Sequence, residues 1–350
     1  MKKKIIQILI FSLITFIFIE GFSFLMIQFK LLPRYLPPVI TLYADENFSF
    51  WHPKNKTYKI STICWESEVT FNDIGLKSKK NYNEKKIMPR IGLIGDSMIE
   101  NIQVSNDEDF SSKLQNLLKG YEIINFSVAS TGLADQIEIY DKLAKNFQLD
   151  YVFLFITDND FSDNFYLSSR PNRISFKVEN EKIIKIERNS EFFKNYFSYY
   201  NNFKRKYLTI FKELNTFKYY FYMKEKLDVI RFNKYNNLNF SSEQIKDQYL
   251  IYSYLTNNII NKIDDDKLFV FLNIKNDDFK QKNLEREMIK KIWKNKVFDP
   301  IEESKLYLKQ NKIFKQPYLG HDCDAHYSKI GADFLSSYVH KIFINNNKKN

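Results

Sequence analysis

The chain has 350 residues, of which 53 are Lys or Arg and 42 are Asp or Glu, so its formal net charge is +11. Its 44% hydrophobic and 17% aromatic content excludes a disordered or collagen-like chain. Its two cysteines exclude a disulfide-dense scaffold and a four-cysteine zinc site. The basic excess is carried mainly by Lys, whereas proteins that read nucleic acids more often cluster Arg. We therefore expect no nucleic-acid partner, and a binder driven by net charge alone remains only an alternative.

The N-terminus resembles a membrane anchor. Three lysines precede an apolar run at residues 5–29, interrupted by Gln7, Glu20 and Gln28. Some 20 to 25 residues of helix cross a hydrocarbon core of about 30 Å, and lysines before the span favour a cytoplasmic N-terminus. The run predicts a single-pass anchor in the cell inner membrane with the remaining chain in the periplasm. A cleaved signal peptide is the alternative, although no small-x-small site lies between Glu20 and Pro38.

Short apolar runs alternate with segments of helical spacing from Pro89 onward. Four runs predict buried strands, at residues 90–94, 121–126, 151–156 and 267–273. Helical spacing follows at residues 110–118, 134–147, 243–262, 283–293, 301–309 and 329–344. Strands that alternate with helices of this length predict an α/β fold, with a parallel sheet in a three-layer α/β/α arrangement.

These patterns divide the chain into an anchor, an extension and one α/β domain. Residues 1–29 form the cytoplasmic N-terminus and transmembrane helix, and residues 30–88 a linker and N-terminal extension. The α/β domain covers residues 89–345, and residues 346–350 form a tail. At about 165–245 it is interrupted by an aromatic-rich insertion, which we expect to be helical and to pack on the α/β body. A lid, or a surface that faces membrane or sugar, is the alternative.

Polar residues that suit acyl transfer follow the predicted strands. Ser97 ends the first strand, and Asn159 follows the strand at 151–156. Asp324 and His326 lie near the C-terminus. Acyl transfer requires a hydroxyl nucleophile, a His base, an acid that orients the His, and donors around the oxyanion. The carboxyl edge of a parallel sheet is where open α/β folds place such sites.

Taken in order, these residues resemble the motif blocks of the SGNH/GDSL hydrolase superfamily. Gly95-Asp96-Ser97 is similar to the first block, and Asn159 within residues 157–160 to the third. Asp324 and His326, followed by Gly331, are similar to the last block, and residues 72–76 to an Asn-x-x-Gly stretch of exported members. The resemblance implies an SGNH or flavodoxin-like fold. It also implies that Ser97 is the nucleophile, His326 the base and Asp324 the orienting acid.

The same resemblance implies an oxyanion hole and shows where the chain departs from the pattern. The hole would use the Ser97 N–H, a backbone N–H near Ser130 to Gly132, and the Asn159 side chain. Ser130 stands where the second block usually has Gly, and Thr157 where the third has Gly. The last block reads Asp-x-His, the shorter spacing of exported sugar O-acetyltransferases, with Asp322 as the fallback acid. Some relatives of this kind have lost catalysis.

We expect a serine ester hydrolase that acts on O-acyl (acetyl) esters, on envelope carbohydrate or another small ester. The alternatives are an O-acetyltransferase for an exported polysaccharide and an inactive SGNH-fold binding or assembly module at the membrane. No cofactor or metal is expected, because no Gly-rich phosphate loop is present and the acid and His ligands within residues 321–326 are too close together to surround a zinc ion. Outside the cytoplasm, Cys64 and Cys323 would be able to form a disulfide.

Overall fold

A computed structural model of the chain describes residues 2–29, 31, 42–45, 47–62, 64–83, 85–169, 173–188, 214–217, 219, 220, 223, 227, 240–275, 284–315, 319–321 and 324–347. The chain divides into two compact units. The smaller consists of Met1–Ile40, Lys59–Glu66 and Asn195–Leu238, and the larger of Thr41–Tyr58, Ser67–Lys194 and Asn239–Asn350.

The smaller unit contains the long N-terminal helix α1, Lys2–Gln28. Its apolar part, Lys3–Gln28, has a mean hydropathy of 2.3, and it is the one helix among the described residues that is long and apolar enough to cross a membrane. A signal sequence near an N-terminus meets the same criteria of length and composition. The helix therefore fits the predicted single-pass anchor.

The larger unit carries most of the remaining elements, and the boundary between the units falls within β3 and β4. The strands are Tyr43–Asp45 (β1), Ser49–Trp51 (β2), Lys56–Ser61 (β3), Glu66–Phe71 (β4), Arg90–Ile94 (β5), Glu122–Asn125 (β6), Tyr151–Ile156 (β7), Ser175–Glu179 (β8), Lys182–Ile186 (β9), Leu268–Leu272 (β10), Val297–Phe298 (β11), Gly320–His321 (β12) and Asp324–Tyr327 (β13). The helices after α1 are Ser97–Glu100 (α2), Phe110–Leu117 (α3), Leu133–Lys142 (α4), Asp160–Asp163 (α5), Ser242–Ile260 (α6), Leu284–Trp293 (α7), Ile301–Gln310 (α8) and Lys329–Asn347 (α9), with short 3₁₀ turns at Ala144–Phe147 and Lys294–Lys296.

Five strands form the central sheet in the order β11-β10-β7-β5-β6. Every pairing within it is parallel. Numbered from β5, the order across the sheet is 2-1-3-4-5, the flavodoxin-like arrangement. The topological switch point lies between β5 and β7, and ligands of such sheets bind at the carboxyl ends of the strands there. The predicted α/β fold class with a parallel sheet is confirmed.

Apolar side chains cover both faces of this sheet, as β7 illustrates. Phe153 and Phe155 belong to one buried cluster, which also takes in residues from α3, α8 and α9. The alternate residues of the strand, Val152, Leu154 and Ile156, belong to a second cluster with residues from α4, α6 and α7. Because neighbouring side chains of a strand point to opposite faces, one continuous apolar run supplies both helix layers. The three-layer arrangement follows from this.

Within the predicted helical insertion, residues 175–186 form a hairpin, so the helical prediction is wrong for that segment, whereas the described residues 215–217, 219, 220, 223, 227 and 242–245 are helical. Strands β8 and β9 pair antiparallel, from Ser175 opposite Ile186 to Glu179 opposite Lys182. Asn180 and Glu181 join them, both with positive φ, of 49° and 62°. Two such residues in succession make the tight turn that matches the twist of paired strands. Most of residues 189–239 lies outside the described residues.

Two further predictions of local structure differ from the observed elements. Residues 30–88, predicted as linker and extension, contain the four short strands β1 to β4. The predicted tail at 346–350 begins too early, because α9 continues to Asn347. Asn residues in the last turn of a helix reduce its stability only slightly when they face solvent, so composition alone does not show where the helix ends.

Candidate active site

Ser97 lies at the first position of α2, directly after β5. The preceding residue, Asp96, caps the helix, since its Oδ1 accepts a hydrogen bond of 2.9 Å from the Met98 N–H. Burial raises the pKa of Asp96, against the hydrogen bond from Met98 and the charge of His326. The strand end and the cap together place the Ser97 side chain at the carboxyl edge of the sheet, beside the switch point.

A His and a carboxylate complete a hydrogen-bonded chain that starts at Ser97. His326 Nε2 lies 2.7 Å from Ser97 Oγ. His326 Nδ1 contacts Asp324 Oδ1, which also accepts a 3.0 Å hydrogen bond from the His326 backbone N–H. A carboxylate can only accept, so Nδ1 carries the proton and Nε2 presents its lone pair to the Ser97 hydroxyl. The hydroxyl therefore donates to a base, the arrangement that activates a serine nucleophile.

The strand conformation of β13 explains how an Asp-x-His spacing serves this chain. Residues two apart in a strand point to the same side, so Asp324 and His326 face Ser97 together. The strand is held against α2 by Asn101, whose Nδ2 donates to the Tyr327 carbonyl at 2.7 Å. Asn101 is the C-cap of α2 with φ 53°, a left-handed conformation that Asn tolerates. Asn101 thus ends the helix that begins at Ser97 and fixes the strand that carries His326.

The environment of His326 favours its protonated form. Burial on its own lowers the pKa of His326, but the hydrogen bond to Asp324 and the charges of Asp324, Asp96 and Glu100 outweigh burial. The pKa of His326 is consequently raised above its ordinary value. An imidazolium formed when Ser97 gives up its proton would be stabilised by the same carboxylates.

Two backbone segments expected in the oxyanion hole are placed near Ser97. Among the described residues, no group accepts a hydrogen bond from the Ser97 N–H, which stays available to a ligand. The loop after β6 lies against Gly95, whose carbonyl accepts 3.3 Å and 3.4 Å hydrogen bonds from the Val128 N–H and the Thr131 hydroxyl. This loop therefore borders the turn that carries Ser97.

The two departures in the second block have different structural outcomes. Ser130 has φ 65°, the left-handed conformation that glycine favours, so the serine keeps the backbone shape of a glycine. The Gly132 N–H donates to Asp135 Oδ2 at 3.1 Å as part of the cap of α4. The Gly132 proton is therefore committed within the protein.

Asn159 follows β7 and is held on both sides of its amide. Its Nδ2 donates to Asp163 Oδ2 at 2.6 Å, and its Oδ1 accepts from Lys275 Nζ at 3.1 Å. The second Nδ2 hydrogen has no acceptor within the part of the chain that the structure describes. Asp163 also acts electrostatically on Asp96, next to the nucleophile. The amide is thus a fixed donor at the edge that carries Ser97.

Thr157 replaces the usual glycine of the third block with a residue that has its own partners. Its hydroxyl accepts a 2.9 Å hydrogen bond from Asn273 Nδ2, and its N–H donates to Asp160 Oδ2 at 2.9 Å. Asp160 is 1% exposed, and burial with the charges of Asp96 and Asp163 raises its pKa well above the ordinary range. Thr157 therefore ties β7 to β10 below the site.

Sequence reasoning missed two basic residues that surround Asn159. Lys275 leaves β10 three residues after the strand ends, and Arg173 contacts Asp163 and donates from Nε to the Ser130 carbonyl at 2.8 Å. Lys275 could have been found, because residues that follow parallel strands meet at one edge. Arg173 carried no comparable signal, since it precedes a hairpin within the insertion.

The remaining predicted residues are only partly described. Cys64 is disulfide-bonded. Cys323, its predicted partner, and Asp322, the fallback acid, lie outside the described residues. The contact of Asp324 with His326 leaves Asp324 as the candidate for the orienting acid.

Comparison with known proteins adds several distant structural similarities. No family model and no curated protein sequence matches the chain. A lipase/acylhydrolase from Enterococcus faecalis is 11% identical with a TM-score of 0.40, covering 73% of this chain and 95% of its own. The acetyl xylan esterase AlAXEase is 12% identical with a TM-score of 0.38, covering 72% and 98%. The acetylxylan esterase Axe2 from Geobacillus stearothermophilus is 12% identical with a TM-score of 0.37, covering 73% and 95%. At this distance, the function has to be argued from the chain's own residues.

Proposed function

We propose that this chain is a member of the SGNH/GDSL superfamily and a serine ester hydrolase. The hydrogen-bonded chain from Ser97 through His326 to Asp324, at the carboxyl edge of the sheet, is the observation that carries the proposal. Ser97 Oγ attacks the ester carbonyl while His326 Nε2 takes the hydroxyl proton. Asp324 holds the resulting imidazolium in place.

The reaction then proceeds through an acyl-enzyme. As the tetrahedral intermediate collapses, His326 returns its proton to the leaving alcohol oxygen, and the acyl group remains on Ser97 Oγ. A water molecule, deprotonated by His326, attacks the acyl carbon. As the second tetrahedral intermediate collapses, His326 returns this proton to Ser97 Oγ, which releases the acid and restores the free hydroxyl. The Ser97 N–H, a backbone N–H at Ser130 and the Asn159 amide would hold the oxyanion. Loss of one such donor costs about 10²–10³ in rate.

We propose O-acyl, in particular acetyl, esters on envelope carbohydrate as the substrate class. The apolar helix α1 supports this, because it would hold the α/β domain next to the cell envelope. The Asp-x-His spacing supports it as well, since it resembles that of exported sugar O-acetyltransferases. A sugar hydroxyl that replaces water in the second step would make the same site a transferase.

The test is labelling of the purified full-length protein, in detergent, with a fluorophosphonate probe. Wild type should be labelled, Ser97→Ala should not, and Ser337→Ala, at an exposed position on α9, should match wild type. Hydrolysis of p-nitrophenyl acetate should fall by at least about 10³-fold in Ser97→Ala. Absence of labelling in wild type, or equal labelling in Ser97→Ala, would reject the hypothesis that Ser97 is an esterase nucleophile. It would favour an inactive binding module. Addition of an oligosaccharide acceptor then measures how acyl groups partition between water and sugar.

A further inference from the structure

Lys275 lies at the same sheet edge as the candidate oxyanion donor Asn159. Strands β10 and β7 run parallel, with Leu272 opposite Ile156, so the segments that follow them leave the sheet side by side. Lys275 Nζ donates to Asn159 Oδ1 at 3.1 Å, although the two residues are 116 positions apart in the chain. Lys275 therefore contacts Asn159 at the carboxyl edge of the sheet, although it follows β10, a strand that carries none of the predicted catalytic residues.

The partners of Asn159 decide which way its amide points. Lysine can only donate and a carboxylate can only accept, so the oxygen must face Lys275 and the nitrogen must face Asp163. The reversed amide would place an NH₂ group against an ammonium and an oxygen against a carboxylate. One nitrogen hydrogen is used by Asp163, which leaves the other for a ligand. Without Lys275, the oxygen would lose its donor, and Asp163 alone would hold the amide in this orientation.

Lys275 is itself anchored among acidic groups. Its ammonium contacts Asp158 Oδ1. Burial lowers the pKa of Lys275, but the pair with Asp158 and the charges of Asp96 and Glu285 raise it by more. Burial and the charge of Asp158 raise the pKa of Glu285 to about 7. Lys275 therefore stays protonated over the whole range in which His326 works as a base.

We propose that Lys275 is a positioning residue that holds the Asn159 side chain in the orientation that donates to the oxyanion. The proposal rests on the proposed esterase function and adds a residue to its site. Its chemistry is a lysine ammonium acting through the amide of Asn159, without contact to the substrate. The effect should therefore appear in kcat, where oxyanion stabilisation acts, more than in KM.

A double-mutant cycle on the full-length protein tests whether Lys275 acts through Asn159. Lys275→Met should lower kcat for p-nitrophenyl acetate by about 10-fold or more, with KM within about threefold, a part of the 10²–10³ expected for Asn159→Ala. In the Asn159→Ala background the same change should alter kcat by less than about threefold, because residues that act as a unit are not additive. Lys275→Arg, which keeps the donor and the charge, should recover most of the rate.

Controls separate positioning from a general loss of charge or of folding. Lys267→Met removes an exposed lysine at the opposite end of β10, paired with Asp264 at 2.5 Å, and should leave kcat unchanged. The double variant Asp158→Asn, Lys275→Met removes both charges of the ion pair and leaves the net charge unchanged. It serves as the test if Lys275→Met alone fails to fold. That double variant should show the same loss of kcat.

The outcomes distinguish this proposal from the proposed function. An active wild type in which Lys275→Met has no effect, or has its full effect in Asn159→Ala, would overturn the role of Lys275 alone. A wild type without Ser97-dependent turnover would overturn the esterase function. In that case the Tm values of the same four proteins of the cycle still test the contact, and strictly additive Tm shifts would overturn it.

Discussion

At the residue scale, conformation accounts for two departures from the expected motifs. The Asp-x-His spacing works because β13 is extended, so that Asp324 and His326 point to the same side. Ser130 stands in place of glycine at φ 65°, where a non-glycine residue costs about 1–2 kcal/mol. Its carbonyl accepts a hydrogen bond from Arg173, which helps to hold the strained residue. The backbone conformation of the chain accommodates both departures.

The raised pKa of His326 predicts the pH dependence of the activity. Only neutral His326 can accept the Ser97 proton, so the rate should fall as the pH drops through its raised pKa, which lies above the ordinary value of about 6.5. Asp324→Asn removes the charge that raises this pKa, so the rising limb of kcat/KM should move to lower pH. The same change should lower kcat by about 10²–10⁴.

Glu285 provides the control for this pH profile, because burial and the charge of Asp158 raise its pKa to about 7. Glu285→Gln removes this second titrating group and should retain the rising limb if His326 causes it. A limb that disappears in Glu285→Gln but stays in place in Asp324→Asn would contradict the assignment to His326.

At the element scale, the N-terminal extension supports the loop that follows the nucleophile helix. Asn72 Oδ1 accepts hydrogen bonds from the Ile74 and Leu76 N–H groups, 3.2 Å and 2.9 Å long, and this turn directs Lys77 inward. Lys77 Nζ donates to the carbonyls of Asn101 and Val104, at 2.7 Å and 2.9 Å. The Asn-x-x-Gly stretch thus acts through Lys77 on the segment that ends α2.

Removal of this buried lysine should destabilise the α/β unit. Lys77 also pairs with Asp109 Oδ2 at 2.7 Å, and both side chains are at most 3% exposed. Lys77→Met leaves a buried carboxylate without its cation, so the free energy of unfolding should fall by about 3–5 kcal/mol in urea titrations. Lys79→Met is the matched control, because Lys79 and Asp107 form an exposed pair that contributes at most about 1 kcal/mol. Equal effects of the two variants would contradict this account.

At the scale of the whole molecule, 53 basic and 42 acidic residues leave a net charge of +11. Many of the basic side chains pair with carboxylates, Arg90 with Glu122 and Lys86 with Asp150 among them.

Within the smaller unit, Glu20 of α1 accepts hydrogen bonds from the N–H and hydroxyl of Thr216, 3.0 Å and 2.6 Å long. A carboxylate in a membrane-spanning helix carries a large free-energy cost unless hydrogen-bond donors or a charge partner compensate for the lost water. The carboxylate of Glu20 therefore has donors within the smaller unit.

We expect the protein to stay in the membrane fraction after carbonate washing, with its N-terminal residues intact by mass spectrometry. Protease added outside spheroplasts should digest the α/β domain, because the lysines at positions 2–4 favour a cytoplasmic N-terminus. Inverted vesicles, in which the domain would be enclosed, serve as the control. A soluble protein that lacks the first residues would instead identify α1 as a cleaved signal sequence.

Local patterns predicted the elements that depend on burial alone and missed those that depend on pairing. The run at 151–156 is apolar throughout because it is covered on both faces, and β7 has those bounds. The hairpin of β8 and β9 was missed because its signal, alternation around Asn180 and Glu181, is short and lies in a Phe- and Tyr-rich stretch. An isolated two-stranded hairpin is only marginally stable in water, so a short alternating sequence forms one only when one face packs against the rest of the protein.

By itself, the sequence determined the α/β class, the strand ends that carry Ser97 and Asn159, and the apolar N-terminal helix, because each is a local pattern of burial or of turn chemistry. Only the tertiary structure decided which of these groups meet. The strand order places β10 beside β7 and so brings Lys275 to Asn159, and the cap of α4 takes the Gly132 proton away from the site. Contacts between residues far apart in the chain depend on strand order and on competition between hydrogen-bond partners. Local sequence patterns predict neither of these.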